Sequence, residues 1–147
     1  MNCDLKKALE HLRKRDKTFS ILEKQVGEIN FKPKTLNFES LLMVIINQQL
    51  SSKAANSIFR RLKGIFKNSV EITPRALLNI KPLELRQVGL SYSKIGFMKN
   101  LADKLLQNPN LLNYWDELND DEALSQIQKL SGFGPWSANI ILLSYMN

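Results

Sequence analysis

Nine consecutive residues, Leu130-Ser131-Gly132-Phe133-Gly134-Pro135-Trp136-Ser137-Ala138, have the types and spacing of an anion-binding turn. An apolar helical run ends at Leu130, two glycines bracket one apolar residue, and a second helix opens at Pro135. Glycine admits positive φ and lets another backbone come close. The first N–H groups of a helix have no intrahelical acceptor, and the helix dipole adds partial positive charge there. Together they can hold an anion without a basic side chain, and Lys129 is the only Lys or Arg nearby. A duplex phosphate suits such a site, since contacts of this kind fix position and carry no sequence information. The plainer alternative is a helix-turn-helix connection punctuated by Gly and Pro. The complete nine-residue pattern favours the binding turn.

The charge balance agrees in sign. Among 147 residues there are 21 Lys and Arg against 14 Asp and Glu, a net charge of +7. Residues 1–36 carry nine basic and five acidic side chains, residues 37–108 eleven and four, and residues 109–147 one and five. A basic bulk suits a polyanion such as nucleic acid, and equally suits many soluble proteins without one. Cys3 is the only cysteine, which excludes an internal disulfide and any cysteine-based zinc or iron–sulfur site within these residues. A reducing, intracellular setting is the default expectation. The longest apolar run, Leu41 to Ile46, is far short of the roughly 20 residues a membrane span needs. No signal peptide is visible behind Met1-Asn2-Cys3-Asp4.

The elements that position the turn read as helices almost throughout. Leu5, Ala8, Leu9 and Leu12 form one helical face, and Phe19, Leu22 and Val26 suggest a second helix closed by Gly27. Residues 29–36, with Pro33, read as a loop. Asn37 has the character of an N-cap ahead of the stripe Phe38, Leu41, Leu42, Ile45 and Ile46. After the polar interruption Asn47-Gln48-Gln49-Leu50, Ser51 or Ser52 opens a helix with Ala55, Ile58, Phe59, Leu62, Ile65 and Phe66 inward. Thr73-Pro74 and Lys81-Pro82 start two short helices, the latter closed by Gly89. Ser91 or Ser93 caps a longer one with Ile95, Met98, Ala102 and Leu105 inward, ended by Pro109. Asp120-Asp121-Glu122 opens a helix carrying Ala123, Ile127 and Leu130, and a last helix runs from about Pro135. No alternating strand pattern and no repeat is present. The fold expected is all-α, a single domain over residues 1–147 built from eight or nine short helices. Ile140, Ile141, Leu142, Leu143, Tyr145 and Met146 are apolar on almost every face. That helix is expected at the centre of a core, and its halt at Asn147 without stop signals reads as a chain cut inside or just after it.

The 130–138 stretch resembles the hairpin of the helix-hairpin-helix (HhH-GPD) DNA glycosylase superfamily. It is most similar to the 3-methyladenine DNA glycosylase II branch, where Gly-Pro-Trp follows the first hairpin glycine and its apolar neighbour. Phe38-Glu39-Ser40-Leu41 through Ile45-Ile46-Asn47-Gln48-Gln49-Leu50-Ser51 resembles that branch's helix, wedge loop and helix. Gly89-Leu90-Ser91-Tyr92-Ser93-Lys94 through Lys99-Asn100-Leu101-Ala102 resembles its mid-domain helix start. The resemblance covers about residues 37–147, with residues 128–147 as the helix-hairpin-helix motif; residues 1–36 match only loosely.

The resemblance implies an enzyme that flips a damaged nucleotide out of double-stranded DNA and hydrolyses its N-glycosidic bond, with alkylated bases of the 3-methyladenine type as substrate. It implies phosphate contacts from the backbone of Gly132, Gly134, Ser137 and Ala138. It implies a wedge at Gln49, with Leu50, filling the gap left by the flipped base; without the resemblance, Gln48-Gln49 reads as a solvated loop. No cofactor is required, although a monovalent cation, K⁺ or Na⁺, at the carbonyls of Gln128, Leu130 and Gly132 is implied. Branches that also cleave the strand carry a lysine where Trp136 stands, and its amine forms a Schiff base. Tryptophan cannot do that. It can present a flat face to an electron-poor alkylated base, or it can be ordinary core.

The family's catalytic aspartate has no counterpart, since no residue after Trp136 is acidic. It is expected beyond Asn147, and the 147 residues alone are expected to be inactive. Asp116 and Asp120 precede the hairpin and do not replace it, and His11, the single histidine, sits among basic residues as a solvated side chain. Two readings stand: an alkylbase DNA glycosylase, monomeric when complete and working in the bacterial cytoplasm and nucleoid or the eukaryotic nucleus, and a non-catalytic DNA-binding module that uses the hairpin alone. Neither involves a membrane.

Overall fold

The computed structural model describes residues 3–27, 34–66 and 71–146. The loop expected over residues 29–36 lies for the most part outside them, as do the Leu5 side chain and Asn147. Among the described residues there are ten helices and no strand. They are α1 (Cys3–Arg15), α2 (Lys17–Val26), α3 (Phe38–Asn47), α4 (Ser52–Ile65), α5 (Pro74–Asn79), α6 (Pro82–Gln87), α7 (Tyr92–Gln107), α8 (Leu111–Asp116), α9 (Asp120–Gln128) and α10 (Pro135–Tyr145). The all-α expectation holds, and the helix that exceeds the expected number is α8.

Polar side chains start most of the helices. Asp16, Asn37, Ser51, Thr73, Ser91 and Asn119 each accept a hydrogen bond from a backbone N–H in the first turn that follows. Each such cap stabilises its helix by about 1 kcal/mol. Asn37 and Ser40 form a reciprocal capping box, Asn37 N–H donating to Ser40 Oγ at 3.0 Å and Ser40 N–H to Asn37 Oδ1 at 2.9 Å. Pro74, Pro82 and Pro135 each occupy the first turn of their helix, where a missing N–H costs nothing.

α3 is the hub. It packs on α4, α7 and α10, while α7 also holds α5 and α6, and α9 packs on both α8 and α10. Leu41, Leu42, Ile45 and Ile46 are fully buried there, joined by Met98 and Ala102 from α7 and by Ala138 and Ile141 from α10. This packing brings three helix ends to one side of the bundle: the C-terminus of α3, the N-terminus of α7 and the turn from α9 to α10. The segment before α3 is tied to the last helix by Lys34 N–H donating to the Ser144 carbonyl at 2.9 Å.

Two apolar stripes pack less than their periodicity suggests. α2 has no buried residue, and Leu22 and Val26 are exposed. α10 is covered on the face of Ala138, Ile141 and Leu142, but Leu143 is exposed, so the helix expected to be buried all round has one open side. Conversely Trp115, in the unexpected α8, is fully buried.

Candidate nucleic-acid interface

The three helix ends enclose an open cleft of about 970 Å³. Gln48, Gln49 and Leu50 line it from the loop between α3 and α4. Ser91, Ser93, Lys94 and Phe97 line it from the start of α7, and Gln128, Leu130 and Gly132–Ser137 from the α9–α10 turn. The residues assigned to the wedge loop and to the hairpin, more than eighty positions apart in the chain, therefore face one space. The stretch 128–147 expected to form the helix-hairpin-helix motif runs from the last residue of α9 through α10.

The turn depends on its first glycine. Gly132 has φ +87°, and a Cβ there would lie 2.3 Å from the Phe97 ring. That position needs glycine twice over, for its left-handed backbone and for the aromatic packed on it. Gly134 differs: φ is −79°, ψ −177°, and an added Cβ would meet nothing within 4 Å. Its openness faces solvent. No acceptor among the described residues takes the N–H of Gly132, Gly134, Trp136 or Ser137. Ala138, also expected among the donors, gives its N–H to the Gly134 carbonyl at 3.0 Å and is fully buried.

Two of the carbonyls expected to hold a cation already have donors. Gly132 O accepts Gln48 Nε2 at 2.7 Å and Leu130 O accepts Phe133 N–H at 3.1 Å. Each accepts one hydrogen bond and keeps a second lone pair.

Trp136 is 56% exposed at the cleft, so it is not a core tryptophan. Gln49 is exposed and has φ +57°, the single positive φ outside glycine among the described residues. Side chains at such angles are strained, and a strained position points to function when its surroundings hold it there.

Two residues that sequence reasoning did not single out supply the hold. Gln48 Nε2 donates to Gly132 O and, at 3.0 Å, to Ser137 Oγ. Lys94 Nζ donates to the carbonyls of Ile46 and Gln48, both at 2.8 Å, which satisfies the C-terminal end of α3. Burial pushes the Lys94 ammonium below the ordinary lysine range. Among the described residues, no Asp or Glu lines the cleft.

Residues 42–138 match the model of the HhH-GPD superfamily, base excision DNA repair proteins. The chain belongs to this superfamily. Within it, the chain is similar to DNA-3-methyladenine glycosylase 1 of Schizosaccharomyces pombe, with 31% identity over 97% of this chain and 64% of that protein. It is also similar to the DNA-3-methyladenine glycosylase of Saccharomyces cerevisiae, with 29% identity over 93% of this chain and 51% of that protein. The chain thus spans about half to two thirds of the relatives it matches. Among solved structures, the Schizosaccharomyces pombe 3-methyladenine DNA glycosylase in complex with abasic DNA superposes with a TM-score of 0.81 at 30% identity. That match covers 96% of this chain and 70% of that one. The HhH-GPD match covers the cleft from the loop after α3 to the first turn of α10.

Proposed function

We propose that this chain is the duplex-holding and base-flipping part of a DNA glycosylase that removes alkylated bases. One observation carries the reading: a strained, exposed Gln49, an exposed Trp136 and a turn with four unpaired N–H groups share one cleft. The turn offers donors for the phosphates beside a lesion. Gln49 and Leu50 stand where a side chain could fill a vacated base position, and Trp136 offers a face for the flipped base. The similarity to 3-methyladenine glycosylases supports alkylated bases as the substrate class.

The chemistry proposed is hydrolysis without strand cleavage. A lyase needs an amine free to attack the sugar, and the one amine among the described residues lining the cleft, Lys94, donates to two carbonyls. Borohydride treatment with alkylated or abasic duplex is expected to trap no covalent adduct. Hydrolysis also needs a carboxylate to stabilise the positive charge that builds on the sugar. Among the described residues the lining of the cleft contains none, so these 147 residues are expected to bind and distort methylated duplex without releasing base.

That same lack favours a second reading, a DNA-binding module with no reaction of its own. Release of methylated base by a longer product of the same gene supports the glycosylase. Release by residues 1–147 alone would place the catalytic group among them and overturn the site as described.

A further inference from the structure

Gln48 sits between the two halves of the cleft and touches both. Its backbone carbonyl accepts Lys94 Nζ at 2.8 Å, and its side chain reaches across to the α9–α10 turn. Both carboxamide hydrogens have destinations: Gly132 O at 2.7 Å and Ser137 Oγ at 3.0 Å. The orientation of the amide is determined by its partners. Gly132 O only accepts, so a flipped amide would set two oxygens against each other. The residue that follows is Gln49, whose φ of +57° must be held by neighbours to persist. Gln48 is the neighbour that ties it to the turn whose N–H groups are unpaired.

We propose that Gln48 is a positioning residue that locks the Gln49 loop in register with the α9–α10 turn, so that gripping a phosphate and inserting Gln49 become a single event. This rests on reading the cleft as a duplex-holding site. Lys94 secures the loop from the other side, through Ile46 O and Gln48 O. A carboxamide suits the bridge because it donates twice while uncharged. Leucine has similar bulk and donates nothing. An ionised glutamate only accepts, and it would repel Gly132 O; once protonated, it regains one donor.

The test uses the 147-residue protein and a duplex containing one tetrahydrofuran abasic analogue beside 2-aminopurine. Dissociation constants are measured along with 2-aminopurine fluorescence at saturating protein, which reads how far the stack is opened and not how much protein is folded. Melting temperatures are taken for every variant. Gln48→Leu is expected to lose roughly tenfold in affinity for the abasic duplex, the scale of two hydrogen bonds, and most of the fluorescence change. Gln49→Ala should do the same. The double variant should lose no more than the worse single variant, because Gln48 acts through the placement of Gln49. Gln48→Glu should resemble Gln48→Leu at neutral pH. It should approach wild type, compared at equal pH, as pH falls through about 4 and the carboxyl takes up its proton.

Additive losses in the double variant, or a Gln48→Glu protein whose fluorescence ignores pH, would overturn the proposal and leave the duplex-holding site standing. A folded wild-type protein that binds no duplex at low salt would overturn the site, and this proposal with it.

Discussion

At the scale of the residue, the two hairpin glycines give opposite experiments. Gly132→Ala forces a left-handed alanine and drives its Cβ into Phe97 at 2.3 Å. It should destabilise the fold by roughly 2–4 kcal/mol, combining backbone strain with overpacking. Gly134→Ala adds a methyl group to open space at an ordinary φ of −79°. Its melting temperature should stay close to wild type while duplex affinity falls, since only an approaching phosphate meets the new Cβ. Thermal melts and a duplex titration on both variants check this. Unchanged affinity in a folded Gly134→Ala protein would make that glycine a turn residue and nothing more.

At the scale of the element, what could be read from sequence follows the range of each interaction. Helix starts at Asn37, Ser51, Thr73 and Ser91 depend on contacts within three residues, so local spacing exposes them. The turn at 130–138 is legible for the same reason. α8 is not: it has six residues, no side-chain cap, and a single fully covered side chain, Trp115, too few to show a period. The α2 stripe is legible as a helix but not as an exposed one, because coverage is decided by elements far away in the chain. The braces of the candidate site are least legible of all. Gln48 meets its partners across 84 and 89 residues, and Lys94 across 48 and 46; in sequence both look like polar surface. Lys94→Met tests this brace. It leaves the Ile46 and Gln48 carbonyls without their donor, at a cost of about 1–2 kcal/mol. A melting temperature lower by about 3–8 °C, with weaker duplex binding, is expected. An unchanged melt would show that water replaces the amine at no cost.

At the scale of the whole molecule, several of the 21 Lys and Arg are held by partners within the chain. Arg61 donates to Val88 O, Arg86 to Leu90 O, and Lys99 to the carbonyls of Leu78 and Ile80. Arg13 pairs with Glu23 and Lys63 with Glu39. Among the described residues the cleft itself offers only Lys94, which is likewise engaged. Backbone N–H contacts displace no counterions, whereas each phosphate neutralised by a side chain contributes about −0.9 to the slope of log affinity against log salt. With the N–H groups of the turn carrying the grip, the measured slope should be shallow, well short of about −6, the value for seven side-chain contacts. A slope that steep would mean that cations away from the cleft dominate binding. The two tryptophans, finally, give the molecule two optical environments. Trp115 is fully buried, and its Nε1–H has no hydrogen-bond partner, so its excited state has no water to relax against and should emit at short wavelength. Trp136 is 56% exposed and should emit to the red, within reach of dissolved iodide. DNA seated in the cleft should quench the red component and shield it from iodide while leaving the blue one untouched, so the unlabelled protein reports on occupancy of its own cleft by colour.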